Sequence, residues 1–204
     1  MRWRFQQWDE SVARNAAGRV DSCLEEIEWI ESRRKEMLDF ATLIENGVIP
    51  CRVTHNDTKI SNILFDAKTK EVLCAIDLDT VMSASVLNDV GDALRCYTNT
   101  GAEDAQDLST VSMSLEMFTA YIRGYLSEMG SSLCPAELDN LAFSGRYITF
   151  EQVLRFLMDY LDGDTYYKTK YPEHNLVRAR AQYKLLQSME AQFPQMCEIV
   201  AALR

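Results

Sequence analysis

Only one stretch of this 204-residue chain alternates short apolar and polar runs between turns. It is residues 51–77, from "CRVTH" through "NILFD" and the turn "AKTK" to "EVLCAID". Strands this short and few cannot enclose a core of their own, because a two- or three-stranded ribbon must lean on something else to be stable. Nearly everything outside the stretch repeats apolar residues at helical spacing. The fold class this predicts is α+β, mostly α, with a small β-hairpin-like insertion near 51–77 set into a helical domain.

The helical segments carry their own punctuation. Ser22 in "DSCLEE" is followed three residues later by Glu25, which reads as a capping box. Cys23, Ile27, Ile30, Met37, Ala41 and Ile44 then recur on one face until Gly47 and Pro50 end the run. After residue 88 the chain reads as helical to its end. Asp107 precedes an amphipathic face of Leu108, Val111, Leu115, Phe118, Ile122 and Tyr125. Pro135 suits the first position of the next helix, which runs through "FSGRYITFEQVLRFLMDYLDG", and "NLVRARAQYKLLQSMEAQF" follows it. With no repeat, low-complexity tract or Pro/Gly-rich linker, the expected organisation is a lead-in segment, 1–20, and one lobe, 21–204.

Composition excludes several classes. The formal net charge is −10, and only short basic pairs occur, whereas a nucleic-acid partner needs a basic footprint. No run approaches the ~18 consecutive apolar residues of a membrane helix, and "MRWRFQQWDE" has no apolar signal region. Six cysteines are scattered without a CxxC pair, which favours reduced, mostly buried thiols and a cytoplasmic location. An anionic small ligand would need a local device in so acidic a chain, most simply a divalent cation held by carboxylates.

Such a device is suggested at the loop His55-Asn56-Asp57-Thr58-Lys59-Ile60-Ser61-Asn62. Asp57 and Asn62 stand at its two ends, and Asp77 ends the strand that leaves the hairpin. Two carboxylates and an amide oxygen at one end of a small sheet form a hard-oxygen set of the kind Mg²⁺ accepts, with phosphate and water completing the shell. Asp57 could instead orient a hydroxyl and accept its proton, and Lys59 could offset charge on a transferred phosphoryl group. Each residue alone has an ordinary reading: Asp and Asn form turns, a lone Lys is solvated, and His55 is a hydrogen-bonded structural residue. The two histidines, His55 and His174, form no zinc pattern, and there is no GxSxG elbow.

Jointly the residues resemble the protein-kinase catalytic loop, H-R-D-x-x-x-x-N, followed by an Asp where D-F-G would fall. The arginine after His and the glycine after Asp77-Leu78 are absent, which points toward small-molecule kinases. The stretch resembles the aminoglycoside phosphotransferase and choline kinase superfamily. "VTHNDTKISNILFD", "AIDLDTVM", "NDVGDALR" and "LRFLMDYLDGDTYYKTKYPEHNLVRARAQ" are most similar to the N-acetylhexosamine 1-kinases within it, over about Arg19 to Gln192.

The resemblance implies a protein-kinase-like C-terminal lobe that uses ATP and Mg²⁺ to phosphorylate the anomeric hydroxyl of an N-acetylhexosamine. Asp57 would be the catalytic base, with Lys59 assisting and Asn62 and Asp77 as metal ligands. His55 and Asp89 would be supports, the latter against an ordinary reading as a helix cap near Gly91. Arg155 and Tyr166 would contact the sugar, with His174 and Arg178 as further candidates. The ordinary alternatives are that Arg155 pairs with an acid such as Glu151 and that Tyr166 is core. No GxG loop and no strand lysine precede His55, so the N-terminal nucleotide lobe of such kinases is absent from this sequence. Three consequences are expected: little or no turnover by the chain alone, an exposed apolar face augmented by the aromatics of "MRWRFQQW", and homo-oligomerisation through it. The alternatives are a non-catalytic sugar- or partner-binding remnant and an aminoglycoside- or choline-type kinase.

Overall fold

The computed structural model describes residues 1–204. Its helices are α1 (Arg2–Arg14), α2 (Leu24–Glu45), α3 (Val86–Tyr97), α4 (Leu115–Met129), α5 (Pro135–Leu161), α6 (His174–Ala191) and α7 (Phe193–Leu203). Between α2 and α3 lie β1 (Arg52–Thr54), β2 (Ile63–Phe65), β3 (Val72–Ala75) and β4 (Met82–Ala84). The architecture is mostly helical α+β.

The spine is α5. Pro135 starts it as the sequence predicts, and the Glu137 carboxylate accepts the Cys134 backbone N–H at 2.8 Å. Buried residues surround it, including Phe150, Leu154, Phe156 and Leu157, and a helix apolar on all sides belongs inside a fold. The helices α3 and α6 pack along it, with α1, α2 and α7 completing the enclosure. One contact sets how closely α3 can lie. A methyl group on Gly91 would sit 2.4 Å from the Ser144 carbonyl oxygen of α5, so no larger residue fits there without separating the helices.

Several boundaries differ from the sequence reading, each for a local reason. Within the lead-in segment, residues 2–14 form a helix, which the sequence reading did not assign, whose stripe of Phe5, Trp8 and Ser11 is buried. Trp8 Nε1 donates to Glu31 at 2.8 Å, and the Ser11 hydroxyl donates to Asp162 at 2.8 Å. Of the three aromatics in "MRWRFQQW" only Trp3 is exposed, so the aromatic patch expected there does not form. Ser22 does not cap α2: it lies in a 3-10 turn, its hydroxyl turned back to the Arg19 carbonyl, and α2 starts after Cys23. Likewise Asp107 caps a 3-10 turn, and α4 begins later, where the Ser114 hydroxyl accepts the Met117 N–H at 3.3 Å. The cysteines are more exposed than expected. Cys23 is buried, its thiol pushed up to about 11 by desolvation, but Cys51, Cys74 and Cys197 face solvent.

The extended stretch holds two ribbons. β2 and β3 form the expected antiparallel hairpin, pairing Leu64 with Cys74. β1 pairs instead with the unforeseen β4, Thr54 opposite Met82. The loop carrying Asp57 therefore crosses from one ribbon to the other. No helix is long and apolar enough to cross a membrane.

Candidate active site

The loop after β1 is shaped by α3. The Asp89 carboxylate, in the first turn of that helix, accepts the backbone N–H of His55 at 2.8 Å and of Asn56 at 2.6 Å. Thr58 donates its hydroxyl to the Asp89 carbonyl at 2.8 Å, and the Tyr97 hydroxyl, at the far end of α3, donates to the Thr58 carbonyl. From the other side Thr80 donates to the His55 carbonyl at 2.6 Å, and Asn56 Nδ2 donates to the Thr80 carbonyl at 3.1 Å. His55 Nε2 bonds the Ile76 carbonyl at 2.9 Å; since a carbonyl can only accept, that nitrogen carries the proton. Asn56 and Asp77 both adopt the left-handed backbone conformation, with φ of 62° and 64°. Asn and Asp tolerate it best among side-chain-bearing residues, and such conformations gather at functional sites.

Within this frame Asp57, Lys59, Asn62 and Asp77 come together. Asp57 Oδ2 accepts from Lys59 Nζ at 2.6 Å and from Asn62 Nδ2 at 2.9 Å, and Lys59 Nζ lies 3.8 Å from Asp77 Oδ2. The hydrogen bond to Asp57 raises the Lys59 pKa above its ordinary value, against the penalty of burial. The ammonium thus stays charged between two carboxylates, where it can offset phosphate charge.

Asn62 Nδ2 also donates to the Asp57 carbonyl at 2.9 Å. Two acceptors on the nitrogen fix the amide orientation and leave Oδ1 free for a ligand. Asp77 is 48% exposed at its side chain and engaged only by the distant Lys59. One amide oxygen and one carboxylate fit Mg²⁺, which takes few protein oxygens and keeps water and phosphate. They do not fit a closed all-protein cage, and no cluster of three or more His, Cys, Asp or Glu could supply one.

A cleft of about 410 Å³ opens from Asp57 toward α5, lined on its far side by Glu151, Gln152 and Arg155. Arg155 does not pair with Glu151, which instead meets Arg4 at 3.2 Å; it donates to Gln152 Oε1 at 3.0 Å. Tyr166 is not core. It is 74% exposed in an adjoining cleft of about 390 Å³ that shares Arg4 and Arg155 with the first. His174, expected at the sugar, lines neither cleft: it is fully buried, Nδ1 accepting the Lys170 N–H at 3.2 Å and Nε2 facing Asp104 at 3.1 Å. Arg178 is likewise occupied, with the Lys168 carbonyl and Asn175. Sequence reasoning missed Arg4, Asp92 and Arg95 in the first cleft. The Asp92–Arg95 spacing of three on a helix was a readable signal; nothing in the sequence marked Arg4.

Residues 1–130 match the phosphotransferase enzyme family. The matched residues include Asp57, Lys59, Asn62, Asp77 and Asp89, while Arg155 and Tyr166 lie beyond them. On that match, which covers most of its length, the chain belongs to the phosphotransferase enzyme family.

Proposed function

We propose that this chain is the acceptor-binding and catalytic lobe of an ATP- and Mg²⁺-dependent kinase that phosphorylates the anomeric hydroxyl of an N-acetylhexosamine. The observation that carries the reading is the convergence of Asp57, Lys59, Asn62 and Asp77 beside a cleft that ends at Arg155. Asp57 faces the cleft, and its carboxylate orients the acceptor hydroxyl and takes its proton as oxygen attacks phosphorus. Lys59 stands against Asp57 and supplies positive charge where the transferred group passes. Asn62 Oδ1 and Asp77 would hold the divalent cation, whose chemistry is neutralisation of phosphate charge. Arg155 and Tyr166 are assigned to the sugar on their position along the two clefts, and the reason for naming a hexosamine is the resemblance of the sequence motifs to the N-acetylhexosamine 1-kinases.

The test is phosphorus NMR of the chain with Mg²⁺, ATP and N-acetylglucosamine or N-acetylgalactosamine. A sugar 1-phosphate should appear once a nucleotide-binding lobe is supplied in trans, and weakly at most without it; Asp57→Asn should then lower turnover by about 10²–10⁴-fold while changing sugar affinity far less. Near-normal turnover in Asp57→Asn would sink the assignment.

A second reading is favoured by the apolar exposure of the hairpin region. Leu64, Val72, Leu73 and Leu78 are between 43% and 64% exposed. A second polypeptide covering this face would complete the enzyme, leaving the chain alone a sugar binder. Heat on sugar addition with no product favours that reading, and so does a dimer in sedimentation.

A further inference from the structure

Charge pairing in the acceptor cleft leaves one group over. Arg95 meets Asp92 at 2.9 Å, Arg4 meets Glu151 at 3.2 Å, and Asp57 holds Lys59 at 2.6 Å. Arg155 has no carboxylate partner. Its Nη1 donates to Gln152 at 3.0 Å and its guanidinium stands 5.5 Å above the Tyr167 ring, while Nε and Nη2 donate to nothing in the chain.

The nearest acids along α5 do not change this. Glu151 and Asp159 sit one turn to either side, and each is engaged elsewhere. Asp159 accepts the backbone N–H groups of Thr165, Tyr166 and Tyr167 and the amide of Asn175, at 2.8–3.0 Å. Those bonds also fix the Tyr166–Tyr167 backbone, so the ring beneath Arg155 is in place before any ligand arrives. In a chain of net charge −10, a half-buried unpaired guanidinium at the junction of two clefts is a local exception. Its planar fork, with two nitrogens uncommitted, matches a carboxylate.

We propose that Arg155 recognises a carboxylate on the acceptor, so that the preferred substrates are acidic derivatives of an N-acetylhexosamine and not the neutral sugar. The inference rests on the reading of the cleft beside Asp57 as the acceptor site. It makes Arg155 the residue that sets specificity, with the carboxylate turned toward the cleft of Trp3 and Tyr166 and the reacting hydroxyl toward Asp57.

Calorimetry at low salt tests it, on the full chain with N-acetylglucosamine, its C6 uronic acid and its 3-O-lactyl ether. At least one acid should bind about 10- to 100-fold more tightly than the neutral sugar, the usual strength of a charge-assisted bond. Arg155→Gln should collapse that ratio to near one, and Arg155→Lys should keep part of it, with thermal melts of both variants confirming a folded protein. The proposal is overturned if the neutral sugar binds as tightly as both acids. It is equally overturned if the ratio survives in Arg155→Gln, or if neither acid gives heat at millimolar concentration. Repeating both the titrations and the phosphorus NMR on Asp57→Asn separates the two readings. An acid preference beside undiminished transfer removes only the role of Asp57, and lost transfer beside a neutral preference removes only the role of Arg155.

Discussion

The helical body and the segment from β1 to β4 are held together by different forces. Along α5 the side chains of Phe150, Val153, Leu154 and Leu157 are fully buried, and apolar burial of this kind contributes about 1.5–3 kcal/mol per side chain. In the hairpin, every residue of β3 is exposed. The loop between the ribbons, which carries Asp57, is fixed by polar contacts to Asp89, Thr80 and Tyr97 in place of a core. The proposed active site therefore sits in the least packed part of the molecule, and directional bonds give it its shape. Substitutions in the two regions should fail in different ways.

The largest effect is expected in the body. Phe150→Ala should cost about 3–5 kcal/mol in denaturant unfolding, and a loss below about 1 kcal/mol would mean that α5 is not the spine. Gly91→Ala should cost about 1–3 kcal/mol, since the added methyl meets backbone and not a yielding side-chain tip. Asp89→Ala should reverse the pattern. It leaves the part-buried His55 and Asn56 amides to water, at about 1–3 kcal/mol in all. The cost should appear as shifted loop resonances and lost transfer more than as a lower melting temperature. An unchanged loop spectrum would show that the polar frame is not what shapes it.

A smaller effect links the two regions through pH. Burial disfavours the Glu137 carboxylate, but the Arg52 guanidinium at 2.8 Å and the Cys134 N–H outweigh it, and its pKa falls below the ordinary 4.5. A depressed carboxylate stabilises the fold above the unfolded-state value and loses that contribution as pH falls through the folded one. Melting temperature should therefore drop on acidification below about pH 4.5, and Glu137→Gln should flatten that part of the curve. The smallest effect is expected in the hairpin, where Val72→Thr or Leu73→Ser should change stability by no more than about 0.5 kcal/mol. A large loss there would reveal a partner already covering the face.

What was legible in the sequence follows the same division. The course of α5 and most of α2 could be read because burial forces an apolar period, and the hairpin could be read from "NILFD", "AKTK" and "EVLCAID". The strand β4 could not, since "MSA" is too short to show alternation and its partner β1 lies far back in the chain. Helix α1 was missed because its stripe is only Phe5, Trp8 and Ser11 among charged residues. The meeting of Asp57, Lys59, Asn62 and Asp77 was visible as a spacing of residue types. The pairing that leaves Arg155 unmatched was not, because it depends on which acid faces which base in three dimensions.

Gly91 has a reach beyond stability. Asp57 is anchored through its loop to α3, and Arg155 projects from α5, so on the proposed reading the close approach at Gly91 is the ruler between the reacting hydroxyl and the far end of the acceptor. A lineage that replaced this glycine with a larger residue would lengthen the ruler, and with it the molecule that fits.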